Sequence, residues 1–570
     1  MPQVFAQVAT PEVLLYSGPL RDAPVREILD DRKGQLEKEE APQLLEPLPP
    51  TQDLRVDIRQ FDIQGVDPEV VQRLLPKLQS FIGPGKTYED LSHAVTVVTR
   101  YMQSEEGLYL AYAYLPSQRM LDGVIRIQVL PGKLQEVELV WSEGLPVQRS
   151  VVDSHLSQLQ PESVLRVDEV ERVLFLLNDL KGIRFTVKVK PGTKAGYAVL
   201  VVQPSLDQVV TGRVTLDNHG SKAIGRERIG VAATLNSPFG RGDSLSASHL
   251  RSFGGELEFS LLNYSSPVGN SGLRLGASVS NLDYELNEPV QTNGQDRLEG
   301  DSQTFNLYGL YPWIRSRNLN VFGLLSLEHG RYSDQFQGGQ SNVEKDVDSI
   351  EAFVSGDSRD DWMGGGITAF EVSWRYSQVE YDNGRPLGLD DEPRTSAFKY
   401  NFSRLQSLIP GRVLGWVSIR GQEAENNLDS TNQCALGGAR NVRAFAQGAA
   451  PGDSCMIMTA EARYIVPRDW LPSGIKSLSV NLFYDRGTVR FREDADFRFA
   501  QIGNENDLSG YGVSLNMDLG KAFADFSNQA AGNEPSPLSV ELVWSKPSLH
   551  GVFAEQTETR RLFGALRYHF

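Results

Sequence analysis

The sequence predicts a transmembrane β-barrel of about sixteen antiparallel strands, preceded by two small α+β repeats and a charged N-terminal helix. Three observations carry this. Helical spacing of apolar residues ends near Val209, and only alternating segments follow to Phe570. The connections between those segments alternate between long and short, as they do in bacterial outer-membrane barrels. Ahead of them, between about residues 55 and 205, one β-α-α-β-β order occurs twice.

Composition narrows the class further. The 570-residue chain carries a net charge of −17, which argues against a general nucleic-acid binder. No apolar run reaches the roughly 18 residues of a membrane-spanning helix. Gly 52, Tyr 19 and Phe 25 recur instead in short alternating segments, a pattern that a helix-hydropathy scan passes over. The 2 cysteines, Cys434 and Cys455, exclude a disulfide framework and a multi-cysteine metal site.

Residues 1–54 read as a helix and linker. Met1–Thr10 lacks the basic start and apolar core of a signal peptide, although Val4-Phe5-Ala6-Gln7 resembles a cleavage site. Residues 20–43 are helix-compatible and heavily charged, and the Pro-rich stretch Leu44–Leu54 is extended. A disordered tail is the alternative for this segment.

The first repeat occupies 55–132. Val56–Val66 alternates as a strand, Pro68–Ile82 has helical spacing, and a second helix runs from Tyr88 to about Gln103 with Thr87 as N-cap. Strands follow at Tyr109–Leu115 and Val124–Val129. The second repeat, 133–205, copies the order: strand Leu134–Trp141, helices Val147–Leu159 and Val167–Leu180, strands Phe185–Val189 and Tyr197–Val202. Each copy pairs a three-stranded sheet with two helices on one face. Such a sheet has open edges that can accept an extended peptide by strand addition, unless a neighbour covers them.

In the barrel, 206–570, strand-like segments begin near 209, 225, 242, 255, 271, 301, 318, 347, 365, 395, 411, 456, 475, 507, 537 and 561. Long connections are expected at about 283–301, 331–347, 379–395 and 424–456, with Ala522–Pro537 a long one on the nominally short side. The last segment shows the face logic. Leu562, Gly564, Leu566, Tyr568 and Phe570 share one face, and Arg561, Ala565, Arg567 and His569 the other. Period two sets the apolar row against lipid and the polar row in the lumen. A soluble β-sandwich would need a second apolar sheet over that row.

The connection from Cys434 to Tyr464 is glycine-rich, poor in charge and bracketed by the two cysteines. Long loops inside compact structures are usually functional or disordered, and this composition does not fit a solvated tail. It reads as a loop packed inside the barrel, about 435–455. The cysteine pair would close a ring worth on the order of 3 kcal/mol in the chain-entropy model. Downstream, Glu461 and Arg463 sit two apart on the lumen face, as a charge network holding the loop.

Motifs for catalysis are missing. Leu130-Pro131-Gly132-Lys133 lacks the first Gly and the Ser/Thr of a phosphate loop. Neither H-E-x-x-H nor G-x-S-x-G occurs. The 7 histidines show no metal spacing, and His219, beside Asp217 and Asn218, reads as part of a surface turn. No enzyme, cofactor or metal is expected.

Several stretches together resemble the Omp85 superfamily, and the two-repeat count resembles its two-partner secretion transporters, the hemolysin secretion/activation (ShlB/FhaC/HecB) type. They are EGLYLAYAYLPSQRMLDGVIRIQVLPGKL, LNDLKGIRFTVKVKPGTKAGYAVLVV, LDNHGSKAIGRERI, the loop motif V-R-[GA]-[YF] at Val442–Phe445, and LFYDRGTV with F-x-D-x-G at Phe483, Asp485 and Gly487. The resemblance covers about 55–570, and the charged N-terminal segment is similar to the family's pore-plugging helix. The repeats are then POTRA-like domains. Ala444 stands where the family usually has Gly, which questions the backbone there if φ is positive.

What the resemblance implies is the following. The protein sits in the outer membrane of a diderm bacterium, with the repeats in the periplasm and Phe570 as the barrel's C-terminal signal. It exports one large hemolysin- or adhesin-like partner, captured by its N-terminal secretion domain, without nucleotide. Its other partners are outer-membrane lipid and, during biogenesis, the barrel assembly machinery; nucleic acid is not among them. An Omp85-type assembly factor is the alternative, although such inserters usually carry three or more repeats. A passive porin or barrel enzyme needs no repeats.

Period two also aims Asp485 into the lumen with Ser479, Asn481 and Phe483, opposite Leu478, Val480, Leu482 and Tyr484. Arg443 lies eight residues past Ala435, and an extended arm of that length reaches at most about 27 Å. The loop is therefore expected to fold down and pair Arg443 with Asp485, shielded by Phe445 and Phe483. Arg443, Phe445, Phe483, Asp485 and Gly487 make up this lock.

Overall fold

The structure, a computed structural model, describes residues 55–116, 118, 122–194, 196–286, 298–336, 342–382, 391–494, 503–519, 538–549 and 560–570. The expected N-terminal helix and linker (1–54) and the connection Ala522–Pro537 lie outside the described residues.

The first unit comprises β1 (Arg55–Ile58), β2 (Gln60–Gln64), α1 (Pro68–Leu74) with a 3₁₀ continuation Leu75–Phe81, β3 (Gly83–Thr87), α2 (Tyr88–Ser104), β4 (Tyr112–Tyr114) and β5 (Val124–Leu130). Thr87 closes a capping box on α2: its hydroxyl accepts from Asp90 N (3.2 Å), and its own N–H donates to Asp90 Oδ2 (2.8 Å). Those Thr87 donors hold the Asp90 carboxyl below its ordinary pKa. The sheet order is β2-β5-β4, with β2 and β5 parallel. Leu74, Leu78, Leu91, Val98, Ile125 and Ile127 fill the space between sheet and helices. Two details differ from the expectation. Val56–Val66 is two strands, and the glycine-rich stretch before α2 is itself a strand, β3, paired with β1. Its glycines and proline are poor strand formers and hide it from a propensity reading.

The second unit has β6 (Lys133–Leu139), α3 (Arg149–Leu156), α4 (Val167–Asn178), β7 (Ile183–Pro191) and β8 (Tyr197–Leu206), in sheet order β6-β8-β7. Its apolar interior is formed by Leu134, Val152, Leu156, Val173, Leu177, Phe185 and Val202.

Sixteen strands among the described residues close into an antiparallel barrel. They are β9 (Val210–Asp217), β10 (Arg228–Asn236), β11 (Ser244–Ser252), β12 (Leu257–Pro267), β13 (Arg274–Glu285), β14 (Leu298–Arg315), β15 (Leu319–Phe336), β16 (Asn342–Asp360), β17 (Gly366–Tyr381), β18 (Arg394–Ile409), β19 (Val413–Ala424), β22 (Ser454–Ile465), β23 (Ile475–Arg490), β24 (Glu505–Leu519), β25 (Leu538–Leu549) and β26 (Arg561–His569). Two further short strands, β20 (Cys434–Ala435) and β21 (Pro451–Gly452), lie within the loop between β19 and β22. The faces follow the sequence period. On β23, Leu482 and Tyr484 are 60% and 47% exposed on the outside, whereas Asn481 and Asp485 are fully buried on the inside.

Of the expected long connections 283–301 and 331–347, nearly all of the described residues are strand. β14 and β15 have 18 residues each. At about 3.3 Å per residue, such a strand far exceeds an apolar band of about 25 Å, even when tilted. Beyond that band the ladder no longer needs apolar side chains, so its sequence reads as loop.

The second unit packs on one part of the barrel rim. Arg315, at the end of β14, is buried with Asp179 after α4 (Nη2 to Oδ1 3.0 Å) and lies over the Phe175 ring. Arg172 donates to the carbonyls of Ser271, Pro312 and Trp313. Gln148 N donates to Gly240 O, and Lys181 N to Gly242 O. The turns after β10, β12 and β14 are thereby engaged.

The ring closes between β26 and β9 over the register Ala565↔Asp217 to His569↔Arg213. The Asn218 side chain extends this seam, accepting from Gly564 N (2.8 Å) and donating to Leu562 O (3.1 Å). His219 opens the irregular connection between β9 and β10, and its half-buried ring packs edge-on against Phe563. At the other end of the seam, Phe570 exchanges both backbone hydrogen bonds with Gly212. Its ring also lies over that glycine, since a Cβ there would come within 2.1 Å of Phe570 Cζ. We therefore expect Gly212→Val to swing the half-exposed Phe570 ring aside at about 1 kcal/mol or less, lowering only slightly the temperature at which the folded barrel unfolds in a gel-mobility assay. Gly230→Val, whose added Cβ meets nothing closer than 3.4 Å, should leave it unchanged.

Candidate functional site: a loop held against the lumen wall

The loop between β19 and β22 is compact rather than an extended arm. β20 and β21 pair antiparallel, and the Cys434–Cys455 disulfide joins the base across 21 positions with Cα atoms 6.4 Å apart. A parallel bridge Gly437↔Val442 and the bond Asn441 Nδ2 to Ala435 O (2.8 Å) fold the tip. Small residues let this backbone satisfy its own polar groups while it is buried. Its apolar face, Leu436, Val442, Ala444 and Phe445, packs against Ile457, Val489 and Leu508 of the wall.

At the tip, Arg443 meets Asp485 in a bidentate pair, Nε to Oδ2 at 2.8 Å and Nη2 to Oδ1 at 2.9 Å. Asp485 also accepts from Arg443 N (3.1 Å) and from Thr459 Oγ1 (2.9 Å). The third guanidinium nitrogen, Nη1, donates to Glu461 Oε2 (3.0 Å). Glu461 in turn accepts from Nε of Arg463 (2.7 Å), whose guanidinium lies over Trp416. The Phe483 ring sits under the Arg443 guanidinium, centroid 3.4 Å from Cζ. Ser545 Oγ donates to Arg443 O (2.8 Å), tying the loop backbone to β25.

Arg443, Phe483, Asp485, Glu461 and Arg463 thus share one cluster, and Phe445 lies in the adjoining apolar one. Gly487 lies under Leu436 and Val442, where a Cβ would come within 2.9 Å of Leu436 Cδ2. Two further glycines clear the wall on β24. A Cβ at Gly510 would lie 2.3 Å from Ala444 Cβ, and one at Gly512 2.5 Å from Phe483 Cζ. The question raised by Ala444 falls away, because its φ is not positive; Ala450, at φ 52°, is the loop's non-glycine residue in the left-handed region, beside Gly438 and Gly448. The Ala444 methyl group fits because Gly510 has none. Gly510, Gly512, Thr459 and Ser545 lie beyond the sequence reading. Alternate glycines on one face of a strand, as in Ser-Gly-Tyr-Gly, are the signal that points to a close approach.

Comparison with known proteins places this arrangement. The model of the haemolysin secretion/activation protein family ShlB/FhaC/HecB matches residues 196–517. The chain belongs to that family. The ShlB-type POTRA domain model matches residues 56–132. The chain is 25% identical over 463 residues to the heme/hemopexin transporter protein HuxB of Haemophilus influenzae, covering 80% of this chain and 79% of that one. It is 23% identical over 354 residues to the outer membrane transporter CdiB of Dickeya dadantii, 60% of either chain. Among solved structures, CdiB from Escherichia coli superposes with a TM-score of 0.70 at 16% identity, over 100% of both chains. BamA from Haemophilus ducreyi lacking POTRA domains 1–3 gives 0.52 at 13% identity, over 91% of this chain and 99% of that one. By that family the chain is a two-partner secretion transporter, and it shares its fold with CdiB and BamA.

Two outcomes follow from the geometry. Asp485 is fully buried and Arg443 is 12% exposed, so removing one partner strands the other. Arg443→Ala should loosen the loop by about 3–5 kcal/mol, seen as faster amide exchange across residues 436–450. Replacing both Cys434 and Cys455 by Ser should cost the loop about 3 kcal/mol by the same measure.

Proposed function

We propose that this transporter exports one large hemolysin- or adhesin-like partner across the outer membrane of a diderm bacterium, without nucleotide hydrolysis. In this reading the two α+β units lie in the periplasm and bind the partner's N-terminal secretion domain. The barrel sits in lipid, and the partner passes through its lumen as an extended chain. The observation that carries the reading is the loop. It occupies the lumen of a closed barrel, and its tip is held to the wall there by a small set of side-chain contacts.

The physics is consistent from end to end. Edge strands such as β2 and β7 offer backbone hydrogen bonds to an extended segment. The second unit already packs against the barrel through Arg315–Asp179, so a chain bound to its sheet starts close to the pore. Folding of the partner outside buries apolar surface and biases motion outward. The names of the relatives, a heme/hemopexin transporter and an outer membrane transporter, agree with cargo passing through such a pore.

The test is deletion of residues 55–132, which leaves the buried contact between the second unit and the barrel intact. Secretion of the cognate partner should stop while a folded, heat-modifiable barrel remains in the outer membrane. Undiminished secretion would overturn the capture role. A defect in insertion of other barrels, with secretion preserved, would favour an assembly factor. Arg443→Ala and Asp485→Ala should each reduce secretion without reducing insertion; normal export by both would remove the loop lock from the mechanism.

A further inference from the structure

The loop has a second anchorage, far from Arg443 in sequence. Before it enters the lumen, the segment from Asn427 to Thr431 touches both sides of a wide arc of the rim. On one side Lys345, near the start of β16, donates from Nζ to Asp429 Oδ2 (2.7 Å) and to Ser430 Oγ (3.2 Å). The hydroxyl of Tyr381, the last residue of β17, lies 3.4 Å from the same Asp429 oxygen and 2.9 Å from Asp391 Oδ2, to which it donates. Glu392 N, just before β18, donates to Asn427 O (2.8 Å). On the other side, beyond the end of β23, Arg492 Nη1 donates to Leu428 O (3.0 Å). Asp494 N donates to Asn427 Oδ1 (2.8 Å), and Asn427 Nδ2 donates back to Asp494 O (3.1 Å).

In the barrel order, β16 and β23 are separated by β17, β18, β19 and β22. The segment leaves the wall at the end of β19, in the middle of that arc, and is bonded toward both ends of it. All the anchoring residues lie at strand ends on the side remote from the second unit. Lys345 and Asp429 are 5% and 3% exposed, so the pair is shielded from water. The remaining Asp429 oxygen accepts from Thr431 N (2.9 Å) and Thr431 Oγ1 (2.6 Å), leaving the carboxylate fully used. A carboxylate stranded there would be costly, so the segment stays down while Lys345 is present.

We propose that Asn427–Thr431 is a strap over one arc of the outer mouth of the pore, and that Lys345 is the positioning residue that hooks it through Asp429. The inference rests on the transport reading above and adds a device to it. The lumen loop is held at two ends, by Arg443 within the barrel and by Lys345 at the mouth. Passage of an extended chain then requires the strap to lift as well as the tip to release. Because the strap leads directly into Cys434, lifting it also pulls on the disulfide-closed ring.

The experiment places one thiol on the buried side of the strap itself and reads its exposure in the full chain. Leu428 is 1% exposed, and the native cysteines are both in the disulfide. Leu428→Cys, in intact cells treated from outside with a membrane-impermeant maleimide, should label slowly. Adding Lys345→Met should accelerate labelling, and Lys345→Arg, which keeps the ion pair, should restore the slow rate. Equal rates for Met and native Lys345 would overturn the proposal, as would a fast rate in the native background. Should the Met variant fail to insert, Asp429→Asn, which keeps the side-chain shape, carries the same comparison. Amide exchange of the native protein supplies a measurement free of substitutions. Residues 427–431 should exchange as slowly as β19, and exchange as rapid as that of exposed turns would overturn the strap. None of these readings uses the partner, so their failure leaves the transport reading standing. Loss of that reading through the deletion of residues 55–132 leaves them unaffected.

Discussion

Asp485 is a carboxylate fully buried in a barrel wall, and it cannot remain there without a cation. Its requirement organises the lumen. The nearest strand neighbours supply Thr459 but no positive charge that reaches both oxygens, so the guanidinium comes from the loop. An Arg is needed rather than a Lys, because one planar fork serves Asp485 and Glu461 together while stacking on Phe483. The wall must also be cleared so that the tip can approach. Gly487, Gly510 and Gly512 do this, each lacking a Cβ where the loop or the Phe483 ring lies.

The same logic of buried charge recurs at the junction with the second unit. Arg315 is buried between Asp179, Asn320 and two aromatic rings. An ion pair so enclosed makes the rim and the unit one mechanical piece at that point. The engaged turns follow β10, β12 and β14, which are alternate strands along one arc of the ring. The strands that carry the lock, β22 and β23, belong to a different arc. The grip on the second unit and the grip on the loop are thus set in separate parts of one closed wall.

Much of this was legible in residue order because barrel strands obey a strict period of two. The alternation of Leu482 and Tyr484 with Asn481, Phe483 and Asp485 assigns inside and outside without reference to tertiary structure. The capping box at Thr87 is equally local. What escaped depends on contacts between distant segments or on absent atoms. β3 is recognisable only through its partner β1, and the path of the loop only through its own bridges. Gly510 has meaning only once Ala444 is placed above it. His219 lies in the connection after β9, but its ring contact is with Phe563, at the opposite end of the barrel sequence. Lys345 and Asp429 are 84 positions apart, and no local pattern links them.

The Cys434–Cys455 bridge also bears on the order in which the wall assembles. β19 and β22 are neighbours, with Gln422 paired to Cys455, although a long loop separates them in the chain. Closing a hairpin costs entropy that grows with the logarithm of the intervening length. Once the cysteines are oxidised, the shortest covalent route from Gln422 to Cys455 runs through Cys434 and bypasses the segment between them. By that scaling, more than halving the connection saves roughly 0.6–1 kcal/mol of ordering entropy. An oxidised chain is therefore biased to zip β19 to β22 early, and the reduced chain must find the same register across the full length. The redox state of the compartment becomes a kinetic variable of barrel biogenesis, separate from any effect on the finished wall.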